Sequence, residues 1–251
     1  MKIKIVFIVL SVAILLFLTI PIFNILTSLS VGKLLNSLED KAIIDAILLS
    51  VSLSLISTVI VLLSGVPLAY LIARFNFPLK GIVEGLIDIP IMIPHVAAGI
   101  ALLLSFGANG YLGGILQKLG ITILDNPIGI TAAMMFVSAP YLINAAKEGF
   151  KKIDVRLEHA AKTLGADDIS VFFKITLPLA RKDIINGALL MWGRGIGEFG
   201  AIVIIAYHPM TATVMIYDRF TSFGLDYALP VAVLLILVSL VIFTIARIIN
   251  R

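Results

Sequence analysis

The sequence predicts an all-α integral membrane protein with six spans, and three observations carry that prediction. Of its 251 residues, 60% belong to the hydrophobic set and only 14% are charged, against about 45–50% and about 25% in ordinary soluble domains. Mean hydropathy is +1.13. Long uncharged stretches recur, each sufficient to cross a hydrocarbon core about 30 Å thick as a helix. A helix pairs all its own backbone groups, as lipid requires. Six spans of about 20 residues occupy about 120 positions. That leaves loops and one small insertion, but no large soluble domain.

The uncharged stretch Ile5–Gly32 supplies the first span, over about residues 5–29. Lys2 and Lys4 precede it as they would in a signal peptide. Yet its apolar run exceeds the roughly 7–15 residues of a signal h-region and no A-x-A-like site follows, so it reads as a retained helix. Ala46–Ala73 is the second span. Ile89–Gln117 holds the third, at 89–107, and Asn126–Ala146 the fourth, at 127–146. Ile184–Tyr217 is apolar except for Arg194 and Glu198; it makes a fifth span at 184–206 and an exit loop. Tyr227–Ala246 is the sixth, at 227–247. The whole of 1–251 is then one transmembrane domain. Pro67, Pro90, Pro94 and Pro140 fall in or at the edges of these spans, where proline removes a donor and kinks a helix. They read as ordinary helix shape or as hinges lining a pathway.

Lys and Arg set the orientation. With the N-terminus inside, fourteen of them, from Lys2 to Arg251, lie on the cytoplasmic side. Four lie outside: Lys33, Lys41, Lys118 and Arg219. Arg194 falls within a span. The positive-inside rule then places both termini in the cytoplasm. The net charge of +4 belongs to this topology and not to nucleic acid. Cysteine is absent, which excludes disulfides, Cys-ligated zinc and a cysteine nucleophile.

The cytoplasmic segment Glu148–Lys182 is the one long polar stretch, with 12 charged residues in 35. Asp154 is placed to N-cap a helix. Leu157, Ala160, Ala161 and Leu164 follow at i, i+3, i+4 and i+7, one apolar stripe. Gly165 sits where a left-handed residue ends a helix. Asp167 or Asp168 starts a second short helix with Ile169, Phe172 and Phe173 on its apolar side, and Pro178 closes it. The segment either packs on the spans or offers its small-residue stripe to another surface.

The run Glu158-His-Ala-Ala-Lys-Thr-Leu-Gly165, nine residues, then Ile175-Thr-Leu-Pro178 resembles the EAA loop of ABC importer permeases. Ala160, Ala161, Gly165, Ile175, Leu177 and Pro178 match at the family's spacing. His159 departs from it, standing where the family has glutamate, with Glu158 just before; the salt bridge of the usual glutamate is left open. Asp88-Ile-Pro-Ile-Met-Ile-Pro94 is similar to the D-x-P-x-x-x-P motif of molybdate, tungstate and sulfate permeases. Arg194-Gly-Ile-Gly-Glu-Phe-Gly-Ala201 is similar to their R-x-x-x-E-F-G-A motif. Tyr207–Met210 and Ile216–Arg219 look most like the archaeal molybdate/tungstate branch.

The resemblance implies a type I ABC importer permease of the cell membrane, carrying tungstate or molybdate, with sulfate or thiosulfate as the alternative. It implies a homodimer around one pathway, two ATPase subunits on the cytoplasmic side and an extracytoplasmic oxyanion-binding protein. It also implies a coupling role for Glu158, His159, Ala160, Ala161, Leu164, Gly165, Ala166, Asp167, Asp168, Ile175, Leu177 and Pro178. Pathway or gate candidates are Pro90, Pro94, His95, Pro140, Arg194, Glu198 and Phe199.

No P-loop pattern occurs, so ATP and its Mg belong to a partner subunit, and no cofactor is expected on this chain. Gly195-Ile-Gly-Glu-Phe-Gly200 matches a dinucleotide fingerprint, with Asp218 about 20 residues on. It lies inside a predicted span without a preceding strand. Its glycines read instead as close helix packing or local unwinding. His95, His159 and His208 are isolated, so no metal site is expected. His95 reads as a packing histidine or as part of a pathway. Arg194 and Glu198, at i and i+4, share a helix face and pair; they line an anion pathway or join helices. A passive anion channel and an intramembrane enzyme are the other classes. ATP dependence separates the first, and the second lacks a nucleophile motif.

Overall fold

In the computed structural model, which describes residues 2–108 and 110–249, the apolar runs fold as helices, and no strand occurs among the described residues. Arg251, counted above among the cytoplasmic basic residues, lies outside them. Helix α1 (Lys2–Thr27) is exposed along nearly its whole length. The short α2 (Val31–Glu39) is capped by Ser30. Asp40 then caps the long α3 (Lys41–Arg74) by accepting from the Ala42 N–H. Next come α4 (Lys80–Met92), α5 (His95–Phe106) and α6 (Tyr111–Lys118). Asn126 caps α7 (Pro127–Lys151), whose proline takes the first turn, where its missing N–H costs nothing. The remaining helices are α8 (Val155–Thr163), α9 (Asp168–Val171), α10 (Leu177–Ile196), α11 (Ile202–Ile205), α12 (Ala212–Phe223) and α13 (Leu225–Ile249).

Helices α1, α3, α7 and α13 are each long and apolar enough to cross a membrane. A fifth candidate is the pair α4 and α5, bent by 115°. The predicted span 89–107 is therefore not one helix. Ile93 precedes a proline and is extended, with ψ of 147°, and the bend follows from that. The predicted span 184–206 is also corrected. Helix α10 starts at Leu177, so Leu177–Lys182 belong to it and not to the polar insertion. It stops at Ile196, and only α11 continues beyond the Gly197–Gly200 turn. Pro178 does not close the second short helix. A π-helical turn, Phe172–Thr176, joins α9 to α10, and Pro178 lies in the first turn of α10.

The core is built on α3, α7 and α10. Val61, Ala69, Leu142, Ala146, Ile184 and Met191 form one buried cluster between them. A second joins α5, α7 and α11 through Ala98, Ile130, Met134 and Ile202, and a third joins α3, α12 and α13. Without water to expel, membrane helices associate through close packing and interhelical hydrogen bonds, and both are present. The Ser54 hydroxyl donates to the Trp192 carbonyl at 2.6 Å and that of Ser57 to the Thr131 carbonyl at 3.1 Å. The Trp192 indole donates to the Val51 carbonyl at 3.1 Å. At Gly187 a Cβ would stand 2.6 Å from the Ala145 Cβ and 3.2 Å from the Leu142 Cα.

Polar contacts gather at two ends. Arg74–Glu158, Lys147–Glu84 and Lys152–Asp183 pair at one. Arg219–Asp40 and Lys33–Asp226 pair at the other. Burial would push the Asp40 carboxyl up, but the Arg219 guanidinium and two backbone amides together hold it below its ordinary value.

The Gly187 contact gives a test. Gly187→Val should destabilise the bundle by roughly 1–3 kcal/mol through overpacking, seen as a lower unfolding temperature in detergent. Adding Ala145→Gly should recover part of the loss. A Gly187→Val protein that melts with the parent would show that α7 and α10 do not pack this closely.

Candidate functional site

The polar insertion is a capped elbow. Asp154 caps α8 by accepting from the Arg156 N–H at 2.9 Å, and the Arg156 side chain on the same carboxylate holds it below its ordinary range. The helix ends at Gly165, with φ of +92°, a region open chiefly to glycine. The Gly165 N–H reaches the Lys162 carbonyl at 2.9 Å, and the Ala166 N–H reaches that of Ala161 at 3.1 Å. This double closure satisfies carbonyls the helix end would leave unpaired. Asp167 caps α9 through the Ser170 N–H, and hydrogen bonding from the Ser170 side chain together with that N–H holds its carboxyl below its ordinary value. Lys162 reaches across the turn to Asp168 at 2.5 Å.

The stripe read from the sequence faces away from the spans. Leu157 is 49% exposed, Leu164 89%, and Ala160 is exposed with them, while Ala161 is half-buried. Ile169 and Phe173 on α9 and the π-turn are exposed as well. Phe172 turns inward, its ring 4.9 Å from Tyr70. Of the two readings left open, Leu157, Ala160 and Leu164 do not pack on the spans, while Ala161 is partly covered. Ile175 and Leu177 are half-buried, and Pro178 is exposed.

The face of α8 turned inward carries Glu158, only 6% exposed. Its Oε1 accepts from Arg74 Nε at 2.8 Å and from the Thr176 hydroxyl at 3.0 Å. Arg74 also donates to the Ile153 carbonyl at 3.2 Å. One carboxylate thus ties the end of α3, helix α8 and the π-turn that opens α10. The buried ion pair here is made by Glu158, the neighbour of His159, and His159 itself is exposed. Sequence reasoning missed Arg74 and Thr176. The signal for Arg74 was present, a lone charge closing an otherwise apolar span; Thr176 has none.

A second polar cluster forms where α5 begins. Pro94 stands at the bend and His95 opens α5. Glu198 is not on one helix face with Arg194, as the spacing predicted, because α10 has ended at Ile196. The following turn, with the Glu198 N–H on the Gly195 carbonyl at 3.1 Å, still brings the two to 2.8 Å. Glu198 Oε2 also meets His95 Nδ1 at 2.9 Å, and Oε1 accepts from the Ala201 N–H at 2.9 Å. Arg194 Nη2 is 2.9 Å from His95 Nε2. The Thr213 hydroxyl donates to the Glu198 carbonyl at 2.7 Å, and the Phe199 ring lies 5.0 Å from Tyr217. The glycine run both ends a helix and permits close approach: a Cβ on Gly200 would stand 2.8 Å from that of His95.

Of the remaining pathway candidates, Pro90 is buried in α4 and Pro140 is buried midway along α7, on a different element. Asp88 of the first proline motif accepts from Asn144 at 2.7 Å, fastening α4 to α7. Among the described residues, no group of three or more His, Asp or Glu side chains is placed to hold a metal ion.

Removing one partner of a buried pair strands a charge and costs about 3–5 kcal/mol, whereas replacing both by apolar residues is often neutral. Arg74→Met or Glu158→Leu alone should therefore lower the unfolding temperature markedly, and the double variant should recover most of the loss. A loss in the double variant equal to the sum of the two single losses would mean that the pair is not coupled.

Residues 65–251 match the family described as binding-protein-dependent transport system inner membrane component. The chain is 42% identical over 233 residues to the molybdate/tungstate transport system permease protein of Pyrococcus abyssi, covering 92% of this chain and 89% of that one. It is 40% identical over 240 residues to the protein of the same description from Methanocaldococcus jannaschii, covering 96% and 94%. Among solved structures, a bacterial ABC transporter involved in the import of the acidic polysaccharide alginate has a chain that superposes with a TM-score of 0.75. It is 19% identical and covers 96% of this chain and 92% of that chain. That likeness is one of fold.

Proposed function

The chain belongs to the family of binding-protein-dependent transport system inner membrane components, and we propose that it is the membrane-spanning subunit of an ATP-driven importer of tungstate or molybdate. The observation that carries this reading is the elbow. A capped, glycine-closed helix presents Leu157, Ala160 and Leu164 to the outside at the polar end of a membrane bundle. Apolar residues held out on a short helix form a docking surface, and with no phosphate-binding loop in this sequence the energy comes from another subunit. The 40% and 42% identities to molybdate/tungstate permeases support the choice of ion.

In this reading α1, α3, the bent α4–α5 pair, α7, α10 and α13 are six crossings, with both termini in the cytoplasm. Arg74, Lys147 and Lys152 share an end with the insertion, as positive-inside topology requires. Two copies enclose one pathway. Two ATPase subunits, which bind ATP and Mg, receive α8 and α9 in grooves, and a loaded extracytoplasmic binding protein docks opposite.

Closure of the ATPases on ATP displaces the elbow. The Arg74–Glu158–Thr176 tie passes that displacement to α3 and α10 together, and the bundle alternates between inward-open and outward-open. His95, Arg194, Glu198 and Phe199, with Pro90, Pro94 and Pro140, line or gate the pathway.

Reconstituted with its ATPase and binding-protein partners in proteoliposomes, the protein should take up labelled tungstate only with ATP, and excess molybdate should compete more strongly than sulfate. Full uptake by this chain alone without nucleotide would replace the importer with a passive anion channel. Gly165→Pro forbids the positive φ of the elbow, and Ala161→Trp fills its close-approach surface. Each should abolish uptake and weaken co-purification with the ATPase; undiminished co-purification of both would remove the docking role.

A further inference from the structure

The cluster at the start of α5 is ordered by depth. The Glu198 side chain is 1% exposed, that of Arg194 24% and that of His95 36%. Both carboxylate oxygens are occupied, Oε1 by the Ala201 N–H and Oε2 by Arg194 and His95. What faces outward is a guanidinium and an imidazole. Only Nη2 of Arg194 is turned to the cluster.

Two constraints say what this edge faces. A partly exposed arginine in a spanning bundle avoids hydrocarbon and turns to water or protein. Irregular backbone at membrane depth survives only where it is buried in protein or lines a water-filled cavity, and two such breaks meet here, at Ile93–Pro94 and at Gly197–Gly200.

We propose that Arg194 and His95 form a transient contact site for a tetrahedral oxyanion dianion, and that Glu198 behind them is a built-in counter-charge that keeps the anion from being held. The proposal rests on the importer reading and deepens it. A planar guanidinium carries its N–H donors in a fork that matches two oxygens of a tetrahedral anion. Unopposed, such a site would trap a dianion. With the carboxylate at 2.8 Å the local charge of the Arg–Glu pair sums to zero, so the donors remain while most of the attraction is cancelled. Passage needs such a contact, favourable enough to enter and weak enough to leave.

The test uses the complete importer, with its ATPase and binding protein, in proteoliposomes. Labelled tungstate retained in the complex is measured after trapping with a non-hydrolysable ATP analogue and washing, beside uptake turnover. Glu198→Gln should raise retention about tenfold and slow turnover. Arg194→Gln should lower retention, and Arg194→Lys, which keeps the charge, should restore most of it. A purely internal brace predicts instead that retention is the same in wild type, Glu198→Gln and Arg194→Gln, and that result overturns the proposal. Should Glu198→Gln fail to co-purify with the ATPase, the comparison of Arg194→Lys with Arg194→Gln decides, and equal retention in both overturns it. A wild-type complex that moves no tungstate or molybdate would refute the importer reading itself, a distinct outcome.

Discussion

Hydrocarbon offers no partner to an open backbone amide or a bare charge, and the rest of this structure depends on that refusal. It makes every long segment a helix. It gathers most of the ion pairs at the two ends of the bundle, and among the described residues one charged group stands as an exception, apart from both. That exception is the group formed by His95, Arg194 and Glu198, and it coincides with the two places where helical hydrogen bonding lapses, the Ile93–Pro94 bend and the Gly197–Gly200 turn. Broken backbone and buried charge meet because each needs the polar partners that the other supplies: the Ala201 N–H and the Thr213 hydroxyl are both satisfied by Glu198.

Helix α10 connects this polar interior to the elbow. Its 20 residues span about 30 Å. One end leaves the π-turn whose Thr176 hydroxyl is bonded to Glu158, and the other delivers Arg194 to the second cluster. Helix α3 runs beside it, from Asp40 at one end of the bundle to Arg74 at the other. Ser54 and Trp192 hydrogen-bond across the pair, and Gly187 lets α10 lie against α7. The packing is small-residue packing, stiff because little side-chain slack separates the backbones.

Local signals in the chain were reliable wherever one residue governs its own neighbourhood. Asp154 caps α8, Gly165 takes a positive φ, and Asp167 caps α9, because capping and left-handed turns are decided within a few residues. The interruption at Ile93–Pro94 was legible in principle, since a residue before proline is driven out of the helical region; reading 89–107 as one span missed it. The start of α10 was not legible. Pro178 is equally at home ending one helix or opening another, and Arg181, Lys182 and Asp183 disguise a helix that the core nevertheless claims through Ala180 and Ile184.

Composition and spacing by themselves determined that this protein is helical, lies in the membrane and carries a glycine-closed polar elbow, because apolar content and short-range spacing act without reference to distant residues. Tertiary structure alone decided that Glu158 pairs with Arg74, that Thr176 joins them, that the stripe of α8 looks outward, and that His95 stands between Arg194 and Glu198. Those partners lie 84, 18, 103 and 99 positions apart in the chain. No local propensity links residues so far separated; they meet because the packing of α3, α7 and α10 leaves each buried charge one place to be neutralised.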